Sequence, residues 1–260
     1  FIKQGEIMAK QEKPKFPTEV VTLPSKGNFY PEEHPLSSGE VEVKYMTARE
    51  EDILTSQNLI KQGKVIDVLL ESLVVGDFDM DDMFIGDKNA IMIASRVLGY
   101  GKDYIFELED PVTGEKESHT LDLTTLEHKE VDFDDVVFEF ELPFSKRVLG
   151  FKFLTQGDEK EITAELKALR KVSKKTGVDS EVTTRLKKVI TSIDGDTKVA
   201  SINNFVNNEF LSRDSKEFRD HLMSVTPDVD MDIIVDFSSG EEVDITVPMT
   251  VEFFWPKAGK

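Results

Sequence analysis

Apolar positions along this chain alternate between a period of two and a period near 3.6, and the changes of period mark its elements. In "EVVTLP", Val20, Val21 and Leu23 predict a short strand. The turn-rich "PSKGNFYP" follows, with Gly27 free to take a positive φ. "GEVEVKYMT" alternates strictly, Val41, Val43 and Tyr45 facing one way and Glu42 and Lys44 the other. The period then lengthens. Thr47 with Glu50 three residues on forms a capping box, predicting a helix that runs to Leu59 or Ile60 and ends before Gly63. "VIDVLLESLV" predicts a short buried helix. "FIGDKNAIMIASRVLGYG" predicts another, opened by Asp87 and stopped by Gly99 or Gly101. Three helices in succession suggest a small bundle lying on the sheet.

Alternation resumes in "YIFELEDPVTGEKESHTLDL", a hairpin with its turn near Pro111–Gly114. Two more strands follow, one aligning Phe138, Phe140 and Leu142, the next Leu149, Phe151 and Phe153. From Asp158 the helical period returns through Ile162, Leu166, Leu169 and Val172, and then through Val182, Leu186, Val189 and Ile193. "TKVASINNFVNNEFL" and "SRDSKEFRDHLMSV" predict two further helices. "MDIIVDFSSGEEVDITVPMTVEFFWP" reads as a three-stranded meander. Its last strand would place Val247, Met249, Val251, Phe253 and Trp255 on one face, and Thr250, Glu252 and Phe254 on the other. The fold class is α+β: antiparallel hairpins and meanders with packed helical bundles. The expected organisation is a flexible tail over residues 1–18, an α+β region over 19–155, and a helical segment with closing meander over 156–260. Residues 1–7, ahead of Met8, read as translated upstream sequence rather than the native start.

Composition narrows the function. The 260 residues suffice for one large domain or two small ones. Acidic residues number 51 against 32 basic, a formal charge of −19, which repels phosphate backbones and anionic membranes. Nucleic acid and membranes are therefore not expected partners. With no cysteine, disulfides, thiolate metal sites and cysteine nucleophiles are excluded.

Candidate chemistry is sparse. Asp77, Asp79 and Asp81 have the spacing of a calcium loop, but its sixth position holds Asp82 where glycine is needed and its twelfth holds Lys88 where glutamate is needed. The histidines His34, His119, His128 and His221 form no HxxxH or HxH pair. Ser118, His119 and Asp122 are triad residue types, but triads converge across a fold rather than along one run. No phosphate loop, dinucleotide fingerprint or GxSxG elbow occurs. The residues point to a non-enzymatic binding or assembly protein without cofactors.

"LPSKGNFYP", "VKYMTAREEDILTSQNLIKQGKVIDVLLESLV" and "MFIGDKNAIMIASRVLGYG" together resemble the baseplate hub assembly protein of T-even type myophages, the family of the gene 26 product. "SRDSKEFRDHLMSVTPDVDMDI" and "VPMTVEFFWP" are similar to that family too. The resemblance implies a non-enzymatic, chaperone-like factor that binds hub proteins in the host cytoplasm during contractile tail assembly. A structural subunit retained in the tail baseplate of the virion is the alternative, and self-association is open.

Three contacts for a partner are expected from the residues. Phe29 and Tyr30 sit between glycine and proline in a segment too short to form a core; the alternative is that they pack onto the first helix. Lys167, Arg170, Lys171, Lys174 and Arg185, with Lys187 and Lys188, form a basic island in an acidic chain, suited to an acidic surface or simply to solvent. Phe254, beside Glu252 on the polar face of the last strand, either covers a helix or reaches a partner pocket.

Overall fold

The computed structural model describes residues 17–172, 180–247, 249 and 251–254. The expected tail, including residues 1–7, lies outside the described residues except for its last two.

The chain opens with strands β1 (Thr18–Thr22) and β2 (Glu40–Lys44). Helices α1 (Ala48–Thr55), α2 (Gln57–Gln62) and α3 (Val65–Leu73) follow, then β3 (Val74–Val75) and α4 (Ile85–Tyr100). Next come β4 (Asp103–Glu109), β5 (Lys116–Asp122), β6 (Glu139–Glu141), β7 (Val148–Phe151), α5 (Gln156–Val172), α6 (Glu181–Val189) and β8 (Ile190–Ile193). The chain continues through α7 (Val199–Asn204), a π turn (Phe205–Glu209) and α8 (Ser212–Val225) to β9 (Asp232–Asp236) and β10 (Glu242–Thr246). Every strand pairing is antiparallel, in sheets ordered β1-β2-β3, β4-β5, β6-β7-β8 and β9-β10. The protein is α+β.

Local chemistry explains the boundaries. The Thr47–Glu50 capping box forms, with Thr47 N–H donating to Glu50 at 2.8 Å. The helix expected to run on to Ile60 instead breaks at Ser56, whose extended backbone ends α1 and whose hydroxyl caps α2. Gly63, left-handed at φ 71°, closes α2 as expected. Asp87 does not open α4. Phe84 occupies the cap, and Asp87 turns inward from the first turn. The helix expected to reach Ile193 gives way at Ile190 to β8, because β-branched "ITSI" pairs with β7.

Two hydrophobic cores result. The first gathers β1 and β2, α1, α3, α4 and the β4-β5 hairpin, and the chain returns to it with Val229, Val235, Phe237, Val247, Phe253 and Phe254. The second holds Leu142, Leu149, Phe151, Leu186, Phe205 and Phe218. The closing hairpin joins the first core, and the segment between forms most of the second.

The end of the chain corrects the expected meander. Among the described residues only β9 and β10 pair there, and Val251–Phe254 form a 3-10 turn in place of a third strand. Arg96, buried on α4, fixes this turn: Nε donates to the Phe253 carbonyl at 3.0 Å, Nη1 to Gly101 at 2.8 Å and Nη2 to Asp103 at 3.2 Å. Burial lowers its pKa, and the three carbonyls supply the acceptors that a buried guanidinium requires.

Candidate interaction surfaces

Phe29 and Tyr30 lie in the seam between the two cores, not on an open loop and not on α1. The loop curls through positive φ at Lys26 (50°), Gly27 (81°) and Phe29 (70°). This sends the half-buried Phe29 ring against Phe153, Phe138 and Phe133, at centroid separations of 5.2, 5.4 and 5.8 Å. Tyr30 donates its hydroxyl hydrogen to buried Asp87 at 2.7 Å and accepts from the Phe84 N–H at 2.9 Å. Asp87 also accepts from the Ser25 N–H at 2.9 Å and the Ser25 hydroxyl at 2.7 Å. Burial pushes the Asp87 carboxyl above its ordinary value, although these hydrogen bonds oppose the rise. Burial and the charge of Asp87 push the Tyr30 phenol up as well. The expected docking loop is the bolt between the cores.

Phe254 does not stand outward. A strand would separate adjacent side chains onto opposite faces; the 3-10 turn sinks both Phe253 and Phe254, each 0 % exposed. Their rings meet edge-on at 5.4 Å, and Phe253 packs on Tyr104 at 5.0 Å. Phe254 is core and presents no surface to a partner. Trp255, expected beside Phe253 in the core, lies outside the described residues.

Two members of the basic island are tied to acids of this chain. Arg185 grips Glu159 with two nitrogens at 2.6 and 2.8 Å and also reaches Glu181 at 3.3 Å. Lys188 pairs with Glu161. Lys167 and Arg170 are exposed on α5. Lys174 and the Lys171 side chain lie outside what is described.

A different feature is open. A groove of about 280 Å³ runs between β1 and the segment around Leu123–His128, with Ala90, Ile93, Ala94 and Val97 of α4 as its floor. One wall is the outer strand of its sheet, and Val20 there is 58 % exposed. The signal for this wall was visible in "EVVT". Two adjacent valines in a strand face opposite sides: Val21, across from buried Val41, faces α4, and Val20, across from Glu42, faces away.

Two cores, aromatic packing between them and an apolar groove at a sheet edge describe a protein of the α+β class with surface to offer other macromolecules. The chain belongs to the T4 bacteriophage base plate protein family, whose model matches residues 16–255. Searches of curated proteins and of solved structures found no match. No helix among the described residues is long and apolar enough to cross a membrane, and none of their His, Asp and Glu side chains cluster as a metal site would require.

Proposed function

We propose that the protein is a non-enzymatic assembly factor of the baseplate hub, binding hub subunits while the contractile tail is built in the host cytoplasm. The observation that carries this reading is the match to a base plate family along nearly the whole chain, residues 16–255. The high negative charge is consistent with this reading, since a net charge far from zero keeps a protein soluble. A second reading, a structural subunit retained in the baseplate, is supported by the same family description.

Quantitative mass spectrometry of purified particles and of hub intermediates from infected cells separates the two. Recovery with the intermediates and absence from particles is expected for an assembly factor. Stoichiometric recovery from particles would establish the structural subunit. Capture of no tail protein by the tagged chain from infected cells would remove both.

A further inference from the structure

We propose that β1 is an acceptor for an added strand: an extended segment of a partner, apolar at alternate positions and basic at those between, seated in the groove beside it. The inference goes beyond the hub-assembly reading and does not depend on it.

The argument starts with the backbone. Tyr45 N–H donates to Pro17 O at 3.3 Å and Leu23 N–H to Gly39 O at 2.8 Å. Both lie in one register with the pairs Glu19↔Val43 and Val21↔Val41. Bonded pairs alternate along an antiparallel ladder, so the N–H and C=O groups of Thr18, Val20 and Thr22 point away from β2. β1 is the outer strand, and among the described residues no backbone group meets that edge. Such an edge is a template for another extended chain.

The groove fixes the rest of the occupant. The segment around Leu123–His128 lines its far side. The floor on α4 is apolar, so side chains facing it must be apolar. The opposite face of the sheet carries exposed Glu40 and Glu42, paired across from Thr22 and Val20. Lys44, on that face, is turned to the Ser72 carbonyl at 3.3 Å. Side chains of an added strand on this face lie first against Val20 and Thr22, and Glu40 and Glu42 stand one strand further, about 10 Å away, which only the long side chains of lysine or arginine reach.

The probe is an acetylated nonapeptide of alternating lysine and valine, titrated into the full chain. A copy N-methylated along both edges keeps the charge but cannot form a ladder. Binding of the unmodified peptide alone is expected, with the Val20 and Thr22 amides becoming protected from hydrogen exchange. Val20→Pro, tolerated at an edge N–H that has no partner, should weaken binding by about tenfold or more. If that variant fails to fold, the methylated copy on the native chain still decides. No binding, or equal binding of the two peptides, overturns the proposal. So does protection of these amides without peptide. Concentration-dependent protection would assign the edge to a second copy, and concentration-independent protection to another part of this chain.

Discussion

Gly27 stands where the loop between β1 and β2 turns back on itself, and two separate constraints meet there. Its φ is +81°, and an added Cβ would lie 2.1 Å from the Ser37 carbonyl oxygen, an atom of the backbone that cannot swing away. Gly27→Ala should therefore cost about 3 kcal/mol or more, at the severe end for single substitutions. Gly63 has a similar φ of +71°, with only the tip of Lys167 near at 3.9 Å. Gly63→Ala should cost about 1–2 kcal/mol, the left-handed penalty alone. Chemical denaturation of both variants checks the contrast; equal losses would mean that the close approach at Gly27 relaxes without cost. Tyr30→Phe tests the bolt between the cores. It strips a donor from Asp87 and an acceptor from Phe84 N–H while leaving the ring, and about 1–3 kcal/mol of stability should go with them. An unchanged melting temperature would show that water replaces the hydroxyl.

At the scale of elements, α8 is fastened to the β6–β7 turn by Asp214, beside Arg213 stacked over the Phe144 ring at 3.8 Å. Asp214 is fully buried and accepts from the Phe144 N–H at 2.9 Å and the Ser145 N–H at 3.0 Å. Burial alone would raise its carboxyl, but the donors on Phe144 and Ser145 outweigh it and hold the group below its ordinary value of 3.8. A group depressed in the folded state stabilises fully above the unfolded value and loses that contribution as pH falls through the folded one. Asp214→Asn should cost about 1–3 kcal/mol at neutral pH, and the gap to the native chain should close in acid below 3.8. A gap independent of pH would mean that shape, not charge, holds the turn.

This clasp was invisible in the sequence because it joins residues 70 apart, whereas the strands and helices it joins were legible. Local signals reported faithfully. The capping box at Thr47, the alternation of Val41 and Val43, the glycine after α2 and the hairpin at residues 103–122 all appear as the pattern predicts. Signals that needed a partner did not. β8 continues a helical period and becomes a strand only because β7 offers an edge. Val251–Phe254 alternates like a strand, but with no strand beside it the segment coils and buries both rings. Phe253→Ala and Phe254→Ala should accordingly each cost about 3–5 kcal/mol, measured by denaturant titration. A neutral Phe254→Ala would contradict its burial. The groove was half legible: "EVVT" marked the strand that forms one wall, while the wall at residues 123–128 comes from another part of the chain.

At the scale of the molecule, the order of packing does not follow the order of the chain. The first core is assembled from residues 23–123 and again from 229–254, with the second core built from the stretch between them. Arg96 makes the return binding, since a buried guanidinium that loses the Phe253 carbonyl keeps its charge and loses an acceptor. The seam adds to this. Gln156 N–H donates to Met83 O at 2.8 Å, and Lys160 on α5 reaches Asp81 at 2.5 Å. A cut at residue 155 therefore removes the Phe253 acceptor, the Gln156 donor, apolar cover and an ion pair from the N-terminal part at once. A fragment of residues 17–155 should lack a cooperative thermal transition by circular dichroism and bind a hydrophobic dye, the marks of a chain with native-like local structure but no fixed core. Supplying residues 156–260 as a second fragment should restore the transition, because it returns Phe253 and Phe254 to α4. A sharp transition in the isolated fragment, near that of the intact chain, would show that the first core closes without the returning hairpin and that the chain divides where its sequence suggests.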